Sequence, residues 1–573
     1  MNFYKALLLL TCLFPTAIAN AQLSTLEPPV SFSLKGQMTE ISRGACQKVT
    51  TPSLDMAKIE AEDKEDEIND VPPRFGFPHI VSYDLKNSGT WYKLPNGDKL
   101  WQLNVVCPNA LSVNFCYDKF WIPEGGKFFV YSKDRKHTLG AFTSRNNKGT
   151  KAQMRGFATG LISGDKMVLE YYQPKYVSED AIISIEKIIH GYRFIDNDSD
   201  HYYYGRSGYC HVNINCEEGQ DWQDEKKAIA LILINGYRSA SGALVNTTEL
   251  SEKPYFLTAD HCLKGKPNNY IKYDAITNPY LDHYSFYWGY EAPGCLNPNS
   301  EPIPFCTNGA IVVANNGTSD FALLRLDEDP QNLSNYTPYY LGWDCTGAGG
   351  NPGVCIHHPH GDIKKISTVR SQPVSSGYNG SGYNMYWEVF WATTLNGHGV
   401  TERGSSGAPL LNDAHKIVGQ LRGSECDSCA NLNGHSIFGK FNVSWTGNNN
   451  TSEYRRLDFW LDSIYTNQST MEGLLILPNT RTIATQQNLY SNVHIINNGQ
   501  LNIYNNVTMI GTSKIIVESG CKIIINGGKL SNATVELKPG ATLRILNGGI
   551  LETRSGFESP VGAIVDIDSG QIL

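Results

Sequence analysis

The sequence predicts a mainly β protein of several domains, on three observations. Its 573 residues are too many for one core, and that length suggests roughly three or four domains. Short runs rich in Tyr, Val, Ile and Thr are broken throughout by Gly, Asn and Pro, the pattern of many short strands. Helix signals are scarce: amphipathic runs that open on a capping serine occur mainly at Ser178 to His190 and Ser452 to Tyr465. The formal net charge of −8 argues against binding to a phosphate backbone, so no nucleic-acid partner is expected.

The elements follow in chain order. Residues 1–21 read as a signal peptide: basic Lys5, an apolar run from Ala6 to Phe14, and the small-residue site Ala19-Asn20-Ala21. The exported chain then starts at Gln22, and an uncleaved anchor is the alternative. No later segment is long and apolar enough for a transmembrane helix. Residues 22–75 are polar and include the acidic run Glu60 to Asp70, which suggests a linker or solvated arm. Residues 76–204 alternate in the manner of a β-sandwich, as in Leu100-Trp101-Gln102-Leu103-Asn104-Val105. The block 205–465 holds nine cysteines, from Cys210 to Cys429. In 466–573, short β-branched runs such as Lys522-Ile523-Ile524-Ile525 stand between Asn-Gly and Pro-Gly turns. Runs starting roughly eight to thirteen residues apart suggest a parallel β-solenoid, with a small antiparallel sandwich as the alternative.

Export implies an oxidising compartment, in which most cysteines should pair. Of fourteen cysteines, Cys12 leaves with the signal peptide, and the remaining odd number requires at least one free thiol. Cys521 is the best candidate, standing alone in the C-terminal region. Cys426 and Cys429 form a C-x-x-C pair near His435, but no second pair accompanies it. Disulfides are therefore expected there rather than zinc, and no metal or cofactor is predicted.

Three segments of the central block carry chemistry. A serine nucleophile needs a base within hydrogen-bond reach, and the base needs a carboxylate to orient it. Phe256-Leu257-Thr258-Ala259-Asp260-His261-Cys262 runs from a strand into His261, the candidate base. In Ser319-Asp320-Phe321-Ala322-Leu323, a turn delivers Asp320, the candidate orienting acid, to the head of a strand. Gly404-Ser405-Ser406-Gly407-Ala408-Pro409 presents Ser406 as the nucleophile. The N–H groups of Gly404 and Ser406 would face the oxyanion, and Gly407 would leave room for substrate. A turn aspartate, a surface histidine and a flexible Gly-Ser loop are the structural alternatives, but their order His, Asp, Ser in one block favours catalysis.

These segments resemble the chymotrypsin-like serine proteases, and Gly208 to about Asp462 is similar to the bacterial lysyl endopeptidase family. The likeness extends to Gly242-Ala243-Leu244-Val245-Asn246, Gly342-Trp343-Asp344, His357-His358-Pro359, Val418-Gly419-Gln420-Leu421 and Ser444-Trp445-Thr446-Gly447. It implies a double β-barrel preceded by a β-sandwich-like pro-domain that is later removed. It also implies pairing of Cys216 with Cys295, and of Cys210 with Cys429 or Cys426. The sequence departs from that family in three places. The family's partner for Cys262 aligns with Ala240, leaving Cys306, Cys345 or Cys355 as alternatives. The lysine-selecting pocket aspartate aligns with Ser436, and an active-site histidine with Arg422. A buried substrate lysine needs a counter-charge, so lysine selectivity does not carry over. Glu402, Glu425 or Asp427 would have to replace the carboxylate; alternatively Arg422 would pair with an acidic substrate residue. In trypsin relatives an aspartate precedes the nucleophile and receives a new terminal amine. Ser405 occupies that position here, so activation is expected to be removal of a steric pro-region, with Tyr204, Gly205 and Arg206 near its boundary.

The sequence thus predicts a secreted serine endopeptidase acting on protein or peptide substrates. A binding or adhesion protein with a vestigial site is one competing reading, an esterase another. Nothing in the chain identifies a partner for the solenoid.

Overall fold

The computed structural model describes residues 27–34, 46–68, 71–193, 207–264, 273–378, 382, 384–424 and 429–573. The signal-peptide reading, Tyr204 to Arg206, Glu425, Cys426 and Asp427 lie outside them. Among the described residues strands account for 43% and helix for 10%, so the mainly β expectation is met. Among the described residues no helix is long and apolar enough to cross a membrane.

The first folded unit is a sandwich of two sheets. One is built on Lys99–Val106, Lys166–Gln173 and Lys127–Ser132, the other on Ser112–Trp121, Ile182–Gly191 and Gly76–Asp84. Trp101, Leu103, Phe115, Tyr117, Phe128 and Ile188 fill the space between them. The expected helix at Ser178 to His190 is absent; Ile182–Gly191 is a strand bonded on both edges, to Gly76–Asp84 and to Ser112–Trp121. Its isoleucines fit a helical period and a buried strand equally well by spacing, and β-branching with two-sided pairing decides for the strand. The expected helix at Ser452 to Tyr465 is likewise reduced to the short turns Glu453–Arg455 and Asp458–Leu461.

The acidic run expected to be solvated is instead a docked helix, Met56–Ile68. Arg74 reaches its Glu62 at 3.0 Å and Asp63 at 2.8 Å, and Arg193 pairs with Asp63 at 2.6 Å. After the helix, the chain crosses to the central unit as an extended strap. Ser239 donates its N–H to Pro73 O at 3.0 Å and Phe75 donates to Tyr237 O at 2.9 Å, with Arg74 opposite Arg238 in antiparallel register.

The central unit has two sheets, matching the two expected barrels. The first, of seven strands, is ordered Phe305–Asn308, Ser285–Trp288, Ile229–Ile234, Arg238–Leu244, Tyr255–Ala259, Phe321–Leu326, Ala310–Asn316. The second contains Val354–His357, Pro409–Leu411, Lys416–Ser424, His435–Lys440 and Tyr386–Phe390.

Beyond residue 472 the chain winds through about five turns of a β-solenoid with three parallel sheets, which excludes the antiparallel alternative. Ile503, Ile525 and Ile545 stack in successive turns. Left-handed Asn547 and Gly548 make one of the corners, where such residues relieve the Cβ clash. The expected boundary near residue 465 does not interrupt the core. One buried cluster runs from Val212 to Leu551, and Tyr339–Tyr340 of the central unit pairs with Gly473–Leu477 as an added edge strand.

Candidate active site

Two antiparallel strands bring the histidine and aspartate together. Ala259 lies opposite Phe321, so the residues just beyond the paired ends, His261 and Asp320, meet on one side. Asp320 takes a left-handed φ of 58° and is held by both carboxylate oxygens. Oδ1 accepts the His261 backbone N–H at 2.9 Å, and Oδ2 lies 2.7 Å from His261 Nδ1. Burial works to raise the Asp320 carboxyl, but His261 and Arg422 outweigh it and hold the group below its ordinary range. An ionised carboxylate only accepts, so Nδ1 carries a proton, and once the ring is neutral Nε2 is the acceptor. Burial by itself would lower His261; the Asp320 charge and Cys262 reverse this and raise it to about 10.

The Ser406 loop is fastened to both sheets. Ser241 N–H donates to Ser406 O at 2.9 Å, and Ser241 Oγ donates to Gly404 O at 2.9 Å. Gly404 has a φ of +90°. The Arg403 carbonyl accepts the His360 N–H at 2.5 Å. In a trans peptide the N–H points opposite the C=O, so the Gly404 N–H is turned away from His360. Among the described residues neither Gly404 N–H nor Ser406 N–H has a backbone partner. Ser405 accepts the Glu402 N–H at 3.3 Å and lies 2.7 Å from His357 Nδ1, so its hydroxyl is already engaged within the fold.

Gly407 does something other than leave room for substrate. A Cβ there would lie 2.1 Å from Thr258 Oγ1 and 2.5 Å from Ser241 O, at a φ of +84°. The missing side chain lets the nucleophile loop seat against the first sheet. Gly407→Ala is expected to cost about 3 kcal/mol of stability through clash and a strained φ. Equilibrium urea unfolding measures this, and a midpoint equal to the parent's would contradict it.

His261 and Ser406 line one cleft with Tyr378, Thr401, Glu402, Arg403, Gly404 and Leu421, and with Val71, Pro72 and Pro73 of the strap. Of the two pocket candidates, Ser436 is fully buried, with Oγ 2.7 Å from Thr401 Oγ1 and accepting from Trp391 Nε1 at 3.0 Å. Arg422 places Nε 3.5 Å from Asp320 Oδ2 and its guanidinium 4.8 Å from the centre of the Tyr378 ring. That position sets a positive charge beside Asp320. Glu402 is the cleft's carboxylate. It accepts the Gly208 N–H at 2.9 Å and pairs with His211 Nε2 at 2.9 Å. Burial works to raise it, but His211 and the Gly208 N–H hold it below its ordinary range.

Cys210–Cys429 and Cys216–Cys295 are disulfides, the pairings implied by the family likeness. The expectation that most cysteines pair is not met. Eight described cysteines are thiols, including Cys521 and all four of Cys262, Cys306, Cys345 and Cys355. Most are buried and pack as small apolar side chains. Cys262 found none of its three expected partners; its Sγ lies 3.9 Å from His261 Nε2 and 3.9 Å from Ser406 O. The strap and the arginines beside it, Arg238 and Arg403, were not legible as site residues, because only tertiary docking brings residues 71–74 to the cleft.

Residues 204–439 match the family model described as "Lysyl endopeptidase, C-terminal domain". Over that stretch the chain is lysyl-endopeptidase-like in sequence. A curated relative, the lysyl endopeptidase of Pseudomonas aeruginosa, is 27% identical over 282 residues, covering 47% of this chain and 56% of the relative. The chain thus spans little more than half the length of that relative. Two solved structures each align with 39% of the chain. The MamO protease domain of Magnetospirillum magneticum (apo form) is 14% identical with 96% of its own length covered and a TM-score of 0.24. The HtrA-type protease AlgW with tripeptide is 15% identical, with 60% covered and a TM-score of 0.25.

Proposed function

We propose that this chain is a secreted serine endopeptidase made as a precursor, with His261, Asp320 and Ser406 as its catalytic triad. The observation that carries the proposal is the buried Asp320–His261 pair at 2.7 Å, opening onto the cleft that Ser406 also lines. Ser406 Oγ attacks the substrate carbonyl as His261 Nε2 takes its proton, and Asp320 stabilises the imidazolium. The oxyanion is received by the N–H groups of Gly404 and Ser406. His261 then protonates the departing amine, and water, deprotonated by the same nitrogen, releases the acyl group. The N-terminal basic and apolar run supports export through a signal peptide.

The precursor reading rests on Val71 to Pro73, which line the same cleft as His261 and Ser406. Removing the N-terminal region would open it, with no need for an amine at Ser405. Lysine selectivity is the named property of the relative and is not part of the proposal. The family likeness assigns Ser436 to the pocket position, and its hydroxyl is engaged by Thr401 and Trp391.

The test is a serine-directed phosphonate applied to the matured protein, with cleavage-site profiling on a peptide library. Labelling at Ser406 and hydrolysis are expected together. A matured protein that does neither supports the binding-protein reading instead. The base must be neutral to work, and His261 is raised by Asp320. The rate should therefore rise with pH through a value above the ordinary histidine range near 6.5. Asp320→Asn removes the cause and should move the residual activity's acid limb to lower pH; an unmoved limb in a pH–rate profile would argue that another group titrates.

A further inference from the structure

We infer that, once the N-terminal region has left, Arg238 and Arg403 form a subsite for an acidic side chain of the substrate, on the leaving-group side of Ser406. This rests on the endopeptidase reading and adds a substrate class to it. Arg238 begins the strand Arg238–Leu244, three residues before the Ser241 that holds Ser406 O. Arg403 immediately precedes Gly404. Both cations therefore stand on backbone fixed to the nucleophile loop.

Each is engaged by the segment that covers the site. Arg238 is 2% exposed; it donates through Nη2 to Asp66 Oδ2 at 2.8 Å and through Nη1 to Pro72 O at 2.5 Å. Arg403 Nη2 donates to Val71 O and, at 3.4 Å, to Asp66 O. The cavity beside them is lined by Glu60, Asp63, Asp66 and Glu67 of the helix, and every carboxylate in it is on that helix. From the protease domain it receives only His360 and Arg403. When the helix and strap leave, Arg238 loses the Asp66 carboxylate and Pro72 O, and Arg403 loses Val71 O and Asp66 O. Glu402, the carboxylate that lines the cleft, accepts the Gly208 N–H and pairs with His211.

The strap also shows how a substrate would run. It enters beside Ser406 at Val71, bonds to Ser239 N–H through Pro73 O, and continues antiparallel to Arg238. A substrate on this course carries its first residues after the scissile bond past Arg403 and Arg238. An aspartate or glutamate there regains the charge-assisted bonds that Asp66 makes now.

The experiment uses protein matured from the full-length chain and matched peptides carrying Asp, Glu, Asn, Gln or Lys in the first three positions after the cut. Acidic peptides are expected to be cleaved roughly tenfold faster than their amide counterparts at one of those positions, since a hydrogen bond to a charged group is worth about that factor or more. The preference should shrink as salt rises. Arg403→Gln and Arg238→Gln should each lower the acidic-to-amide rate ratio. Arg403 is only partly buried, so its variant remains informative if the buried Arg238 variant does not fold. Equal rates for acid and amide at all three positions, in protein whose Ser406 reacts with a phosphonate, overturn this inference alone. Protein that neither labels nor cleaves any peptide overturns the endopeptidase reading and this inference with it.

Discussion

Ser406→Ala is expected to lower peptide hydrolysis by about a millionfold in kcat, the loss typical when the nucleophile of such a triad is removed, and to abolish phosphonate labelling. The fold should survive. The fastenings of the loop run through backbone and neighbours: Ser406 O to Ser241 N–H, Gly404 O to Ser241 Oγ, and Gly407 N–H to Leu421 O at 2.8 Å. No serine hydroxyl at 406 is needed for any of them, so thermal unfolding should match the parent closely. The comparison separates chemistry from structure: an inactive but unfolded variant says nothing about the nucleophile, whereas a folded variant retaining even a few per cent of the activity removes Ser406 from the reaction. Asp320→Asn should cost less, about ten thousandfold, because it leaves nucleophile and base in place and loses the orienting charge and tautomer.

The approach of His261 to Asp320 was legible in the sequence because both sit in local strings. A strand ending in Thr-Ala-Asp-His-Cys and a strand opened by Ser-Asp-Phe each place a residue at a strand end, and antiparallel pairing of those two strands does the rest. The solenoid was legible for a similar reason: β-branched runs and Asn-Gly corners repeat locally, and each turn meets only its neighbours. What sequence reading missed is long-range. The spacing of Ile182, Ile183, Ile185, Ile188 and Ile189 does not reveal that the segment has a strand on either side. The charge of Glu60 to Asp70 reads as solvated until Arg74, Arg193 and Arg238, distributed over 165 positions, arrive around it. The need for glycine at 407 arises from Thr258 and Ser241 on another sheet. The thiols follow the same logic, since compartment chemistry favours pairing but only folded geometry brings two sulfurs together.

The continuity of the core has a consequence as large as loss of the nucleophile. A chain ending at residue 465 is expected not to yield a stable folded protease domain. Tyr339 and Tyr340, both fully buried, would lose the strand opposite them, Leu474 and Leu475. Asn246 Nδ2 would lose Glu472 O at 2.8 Å, and Lys416 would lose Glu472 Oε1 at 3.0 Å. The His415 ring, sandwiched between Trp222 at 4.0 Å and Tyr490 at 3.7 Å, would lose one face. Arg481 would leave Asp224, which it approaches to 3.0 Å. Leu474, Leu475 and Ile476 each contribute roughly 1.5–3 kcal/mol by burial, and domains are stable by only about 5–15 kcal/mol. Losing that strand alone removes a large part of the margin before the tyrosines are counted. A chain ending near residue 497 keeps the first solenoid turn and the strand that opens the second, Ser491–Ile495 beside Gly473–Leu477, and should recover much of the lost stability. Soluble yield, near-ultraviolet circular dichroism and thermal unfolding of the two truncations against the full chain measure the difference. A chain ending at 465 that unfolds at the full chain's temperature would mean that the solenoid is an appendage, and that the shared core contributes nothing to the catalytic fold.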